Sequence, residues 1–456
     1  MHVPLLLTTL LLPLLTTSQK ALVYPGPSFK SASATQIASC DRVRTILWDG
    51  KQLLALCPGR STLGQIMAIW EDQPGSGNWQ NQTILTQALI GVPGQGEKAP
   101  EGWNHGFAFS EGYIYMSTPS AVTRWKHTPG DRTIMSPNDG QVVVRNISAP
   151  RDASGALLGS TTRTLTFHNT NTNHLFVSIG NVADTEHNPY HGLVRWFDVS
   201  AVPEGGFEFY SQGNIWSDGV RNAVGMAFDA SGNLWAADMA SDIQNRTVDS
   251  MTLAQSHEDS PLDEINLLKK DEFYGWPWCF TAGGTGPSAG KQLAWNPTND
   301  PFGDAWCGNA TNNEPPMATV PAHVSPLSMT FLADASGCGT DSHSFPCEMK
   351  GDMFLALHGS VTNEVPKGYS VIRVPFKNSL PQQSSIETIF EVSDLVNQCK
   401  DEGTPKAFTK CVRPVGLTFD NRGRLFVGSD STNEIYMVHF GGGGSSSNAG
   451  AAGVGK

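Results

Sequence analysis

The phrase "RNAVGMAFDASGNLWAAD", residues 221 to 238, sets an arginine and an asparagine directly before a short apolar strand. A guanidinium gains little from apolar packing, so its place at the mouth of a hairpin needs a chemical reason. Comparable phrases recur as "RVRTILWDGKQLLALC", "NHGFAFSEGYIYMST", "TTRTLTFHNTNTNHLFVSIG" and "RPVGLTFDNRGRLFVGSD". The residues they place just before a strand are Arg44, His105, Arg163, Arg221 with Asn222, and Arg413. If the hairpins are related, these side chains converge on one funnel. Convergent arginines recognise an oxyanion, a carboxylate or a polarised carbonyl through charge-assisted hydrogen bonds. Each arginine could instead tie neighbouring hairpins together through an aspartate or backbone carbonyls. For any single arginine the tying reading is at least as good; for the set, convergence is the better one.

The elements that must position them are strands. Each phrase is an apolar strand, a turn rich in Gly, Asp or Asn, and a second apolar strand. A sixth copy, "SPLSMTFLADAS" from Ser325, finishes after an insertion with "GDMFLALHGS". The early spacing is about sixty residues, with insertions later. One hairpin cannot bury both of its faces, whereas six packed around an axis cover each other and leave few exposed edges. The expected fold is all-β, a six-bladed β-propeller over residues 20–440. A β-sandwich with long loops would not explain six similar phrases.

The chain has 456 residues, with 47 Gly, 29 Pro and only 16% charged residues, which favours turns and short strands. A net charge of −12 argues against nucleic acid or an anionic membrane as partner. The opening "MHVPLLLTTLLLPLLTTSQKA" reads as a secretory signal over residues 1–19, too short in its apolar core to span a bilayer. Sequons at Asn81, Asn146, Asn245 and Asn309 support export. The eight cysteines contain no C-x-x-C pattern, and proximity pairs them as Cys40–Cys57, Cys279–Cys307, Cys338–Cys347 and Cys399–Cys411. Residues 441–456, "GGGGSSSNAGAAGVGK", read as a flexible tail or linker. A secreted monomer is expected.

Beyond the hairpins, "DEINLLKKDEFYGWP" (Asp263 to Pro277) and "MFLALHGS…KGYSVIRVPF" (Met353 to Phe376) occur in order with "GVRNAVGMAFDASGNLWAAD" and "RPVGLTFDNRGRLFVGSD". Together they resemble the pyrroloquinoline quinone (PQQ)-dependent sugar dehydrogenases, and the secreted fungal branch in particular. The resemblance implies PQQ in the central funnel with Ca²⁺ beside it. PQQ carries three carboxylates and an ortho-quinone, a ligand suited to scarce arginines. Arg221 and Asn222 match the pair that contacts the quinone, and Arg413 an arginine facing a cofactor carboxylate. Arg44, His105 and Arg163 join the cofactor set by blade position. For the metal, the resemblance points to "ADMASD", hence Ser241 and its neighbours, with Asp263 as a carboxylate ligand; Ca²⁺ prefers such oxygen donors.

One departure stands out. Relatives carry a histidine in the loop before "TTRTL", where this chain has Ser160. Serine alone is no base near neutral pH. The catalytic base is therefore assigned to His358 of "FLALHGS", with His105 in reserve, because imidazole titrates near neutrality. Other clusters read as structure. "DTEHNPYH" (Asp184, Glu186, His187, His191) lacks a helix to fix metal-ligand spacing. "GTGPSA" follows no strand and opens no helix. His323 either reaches the funnel or satisfies a blade carbonyl.

These readings lead to a secreted oxidoreductase that takes a pyranose to its lactone, with PQQ and calcium as cofactors. A secreted cytochrome, a phenolic compound or another external acceptor would take the electrons. A calcium-dependent propeller lactonase and a non-catalytic glycan-binding propeller are the alternatives.

Overall fold

A computed structural model describes Leu22–Val23 and residues 33–440, except 60–62, 88–100, 184–187, 242–245, 249–250, 253–257, 286, 299–300, 334–336, 341–342, 361–362, 364–365 and 392–410. The expected signal segment, the tail, Asn245 and Cys399 lie outside the described residues.

Six sheets, antiparallel but for an outermost parallel pairing in the second and third, follow one another as blades. Their inner strands are Thr45–Trp48, Phe107–Ser110, Leu165–Phe167, Ala223–Phe228, Pro326–Phe331 and Pro414–Phe419, in blades 1 to 6. Each inner strand neighbours the next, and the sixth returns to the first, so the ring closes. Closure is completed by an early segment. Ser33–Ser39 pairs antiparallel with Glu434–His439 and supplies the outer part of blade 6. The expected six-bladed propeller is the observed fold.

The second strand of a blade packs on both faces, and its composition shows it. Leu53–Cys57, Leu234–Asp238, Met353–Leu357 and Leu425–Ser429 are buried along their whole length. Apolar clusters fill the spaces between adjacent blades. Phe354, Tyr369 and Phe390 of blade 5, for example, meet Leu417, Leu425 and Tyr436 of blade 6. At roughly 1.5–3 kcal/mol for each large side chain removed from water, these inter-blade layers dominate the stability.

The hairpin turns use the Asp that the repeats share. Asp229 accepts hydrogen bonds from the Ser231 and Asn233 amides and from Trp235 Nε1. Asp420 accepts the amides of Arg422 and Arg424 and the Arg424 side chain in the same way. The turns need left-handed residues, supplied by Gly232 (φ 83°) and Gly423 (φ 72°). The cysteine pairing is largely as expected: Cys40–Cys57, Cys279–Cys307 and Cys338–Cys347 are disulfides. Cys411 is also disulfide-bonded.

Candidate active site

Every inner strand starts at the same mouth of the ring, and every second strand ends there. The mouth therefore collects two sets of residues, those before the first strand of each hairpin and those closing the second. Arg44, His105, Arg163, Arg221, Asn222 and Arg413 belong to the first set; Asp238, His358 and Asp430 belong to the second.

On the side formed by blades 5, 6 and 1, the charged groups meet each other. Asp430 Oδ2 accepts from Arg44 Nη1 at 2.7 Å, and Asp430 Oδ1 lies 2.7 Å from His358 Nε2. The side chains are 8% (Asp430), 9% (Arg44) and 13% (His358) exposed, so water screens these contacts poorly. Burial pushes the Asp430 carboxyl up, but His358 and Arg44 overcome it and hold it far below the usual carboxylate range. Burial lowers His358 to about 4, against the pull of Asp430. This corrects the expectation of an imidazole titrating near neutrality: His358 is neutral at pH 7 because it is desolvated. Its Nδ1 has no hydrogen-bond partner among the described residues. Arg413 braces the same turn, donating from Nε to the His358 carbonyl (3.0 Å) and from Nη2 to the Gly359 carbonyl (2.6 Å).

His105 is buried beside this cluster. Burial, then the Arg44 charge, lowers it to about 3, and its Nδ1 is enclosed without a partner. Arg44 Nε is likewise buried and unpartnered.

On the side formed by blades 2, 3 and 4, the arginines bind backbone. Arg163 donates to the carbonyls of Pro119 (2.9 Å), Ser160 (2.8 Å), Thr162 (2.7 Å) and Ser148 (2.8 Å). Its guanidinium ties blade 2 to blade 3 with four of its five N–H groups, the geometry of a strut. Arg221 Nη1 donates to the Met239 and Ala240 carbonyls at 3.0 and 2.7 Å. The Arg221 and Asn222 amides donate to Asp238 at 2.9 and 2.6 Å. Burial raises Asp238 to about 7. Ser160 donates to Asn181 Oδ1 at 2.9 Å.

Among the described residues, which leave out 242–245 beside Ser241, the expected calcium ligands do not assemble. Asp263 accepts the Ala240 and Ser325 amides, both at 2.9 Å, and so joins blade 4 to the entry of blade 5. The carbonyls of Met239 and Ala240 face Arg221. Of the residues expected to hold the metal, Ser241 offers a buried oxygen, Oγ, with no partner. One hydroxyl is no Ca²⁺ cage, which takes six to eight oxygens. Two further histidines noted in the sequence bond within the fold, while Asp184, Glu186 and His187 lie outside the described residues. His323 Nε2 lies 3.3 Å from the Ser260 carbonyl, and His191 Nε2 2.9 Å from Ser148 Oγ.

The sequence reading missed Asp430. The signal was present: "LFVGSD" and "LWAAD" end equivalent second strands in an acid, so completing the repeat would have put Asp430 at the mouth.

A six-bladed propeller with a polar, histidine-bearing mouth defines the class. Residues 32–440 match the family described as TrAA12-like, and the chain belongs to it. A Coprinopsis cinerea protein named pyrroloquinoline quinone-dependent pyranose dehydrogenase is 30% identical over 281 residues, 56% of this chain and 36% of that protein. The chain thus matches little more than a third of that relative's length. A Hypocrea jecorina protein named pyrroloquinoline quinone-dependent sugar dehydrogenase is 29% identical over 361 residues, 74% of each. Among solved structures, a Trichoderma reesei member of carbohydrate-active enzyme family AA12 superposes with a TM-score of 0.71 at 26% identity, covering 95% of this chain and 100% of that one. The PQQ domain of the Coprinopsis cinerea pyranose dehydrogenase gives 0.71 at 22% identity over 93% and 98%, a likeness of fold. The resemblance drawn from the motifs is borne out.

Proposed function

We propose that this protein is a secreted, PQQ-dependent sugar dehydrogenase that oxidises the anomeric carbon of a pyranose to a lactone. The observation that carries the reading is the imidazole of His358, fixed through Nε2 and unpartnered at Nδ1, at the mouth where the arginines gather. The family and the names of its relatives supply the reaction class.

The mouth fits a polyanionic quinone. Arg44 Nε and His105 Nδ1 are polar atoms enclosed without protein partners, which a ligand would satisfy. Arg44, His105, Arg221, Asn222 and Arg413 would hold the cofactor. Bound PQQ supplies an electrophilic carbon that accepts the hydride from the sugar C1. The rest falls to the chain. His358 Nδ1 takes the proton of the anomeric hydroxyl, so the substrate loses one hydride and one proton and its C1–O1 bond becomes a carbonyl. Arg413 holds the His358 and Gly359 carbonyls and keeps the imidazole at the mouth. Arg221 brings positive charge to the opposite wall. Two electrons then leave for an external acceptor, a haem protein or an oxidised phenol. No step is assigned to calcium, because Asp263 is engaged by two amides and the Met239 and Ala240 carbonyls by Arg221, which leaves the Ser241 hydroxyl.

Three disulfides suit an oxidising compartment. The sequon residues Asn81, Asn146 and Asn309 are exposed. Among the described residues no helix is long and apolar enough to cross a membrane.

The test is a titration of the purified protein with PQQ, followed by a panel of pyranoses and a dye acceptor. Saturable PQQ binding and sugar-dependent dye reduction are expected. Sugar binding without dye reduction would favour a glycan-binding propeller; lactone hydrolysis indifferent to PQQ would favour a lactonase.

A further inference from the structure

Asp430 and Arg44 together fix which nitrogen of His358 can act, and this rests on the reading of His358 as the base. An ionised carboxylate only accepts hydrogen bonds, so the 2.7 Å contact to Asp430 Oδ1 requires a proton on His358 Nε2. In a neutral imidazole the other nitrogen then carries the lone pair. Nδ1 becomes the acceptor, and it is the nitrogen without a partner. A guanidinium only donates, so Arg44 Nη1 holds Asp430 Oδ2 at 2.7 Å and stops the carboxylate from turning. The groups facing His358 come from three blades: Arg44 ahead of blade 1, His105 ahead of blade 2, and Arg413 with Asp430 from blade 6.

We propose that Asp430 is a positioning residue that locks His358 as the Nε2–H tautomer, and that Arg44 orients Asp430. Arg44 thereby has a task beyond the cofactor contact read from its blade position.

The arrangement makes a specific prediction for Asp430→Asn, which is nearly isosteric. Arg44 has only donors to offer, so the new amide must turn its oxygen toward Arg44. Its NH₂ then faces His358 Nε2 and forces that nitrogen to accept. The proton moves to Nδ1, where the base is needed, and the base is lost. Removing the donor with Arg44→Met releases the amide to turn back.

The experiment is ¹⁵N NMR of histidine-labelled, PQQ-loaded protein, with kcat and KM measured alongside. Wild type should show His358 protonated on Nε2 and bare on Nδ1. Asp430→Asn should reverse the two and lower kcat about 10²–10⁴-fold with little change in KM, the range for losing a general base. Adding Arg44→Met should restore part of the Nε2–H population. A wild-type His358 protonated on Nδ1 overturns the proposal whether or not any variant folds. So does Asp430→Asn with an unchanged tautomer and kcat within threefold, and a double variant still wholly Nδ1–H overturns the part given to Arg44. If the wild type loads PQQ but oxidises no sugar, the enzyme assignment fails while the tautomer remains measurable by itself.

Discussion

The two walls of the propeller mouth are built from the same residue types at equivalent positions, yet they behave differently. On the wall of blades 6 and 1, Arg44 meets a carboxylate that in turn meets His358, leaving one imidazole nitrogen unpartnered. On the wall of blades 2 and 3, Arg163 meets four backbone carbonyls. The difference lies in what ends the neighbouring second strand. Blade 6 ends in Asp430, a side-chain acceptor that draws Arg44 to the mouth. The second strand of blade 2 leads to Pro119 with no carboxylate; the Pro119 carbonyl accepts from Arg163 together with those of Ser148, Ser160 and Thr162, and the guanidinium sinks among them. An arginine at a repeat position is thus either part of the chemistry or a strut, and its nearest acceptor decides which.

Substitutions can separate the walls. The largest effect is expected for His358→Ala, which should lower dye-coupled sugar oxidation by about 10²–10⁴-fold while PQQ still binds. Near-wild-type turnover, with collapse in His105→Ala, would move the base to blade 2. Next, Arg163→Met strips a buried donor from four carbonyls and should cost about 3 kcal/mol of stability. Thermal or denaturant unfolding would show this, while the PQQ affinity of the folded protein should shift less than threefold. A large loss of PQQ affinity without loss of stability would return Arg163 to the cofactor site. Arg221→Ala lies between the two cases, since Arg221 holds carbonyls and also faces the mouth. It should weaken PQQ binding by roughly 2 kcal/mol, the worth of one charge-assisted contact. An unchanged PQQ titration would make Arg221 a strut like Arg163.

The smallest effect is a displaced pH limb. His358 must be neutral to accept a proton, and burial lowers it to about 4. The acid limb of kcat/KM should therefore fall near pH 4; a limb near 6.5 would show a solvated imidazole. Stability carries the same sign. Unfolded imidazoles take up protons below about 6.5, while His358 and His105 in the fold resist until about 4 and 3. Their contribution is present above pH 6.5 and declines as pH falls toward 4. Unfolding free energies measured across that window should show the decline, less steep in a His105→Asn variant.

The fold was legible because a propeller writes its repeat into the chain. Alternating strands, the Asp-bearing turns at Asp229 and Asp420, and residues such as Arg44 and Arg413 ahead of inner strands were all visible as text. Three disulfides followed from proximity alone. The division of labour between the arginines was not visible. The carbonyls that bind Arg163 come from residues up to 44 positions away and leave no side-chain signature. Asp263 looked like a metal ligand because a carboxylate does not announce that two amides, those of Ala240 and Ser325, will claim it. The pairing of His358 with Asp430 spans 72 residues and two blades, so only the closed ring brings it about.

The most direct test of sugar oxidation at this mouth is a single turnover without any acceptor. PQQ-loaded protein would be mixed rapidly with a pyranose, either unlabelled or deuterated at C1, and the cofactor spectrum followed. The account predicts that sugar reduces the bound PQQ in one phase, slower with deuterium at C1, and that lactone forms in equal amount. A cofactor spectrum that sugar leaves unchanged, or a rate indifferent to the label with no lactone formed, would contradict it.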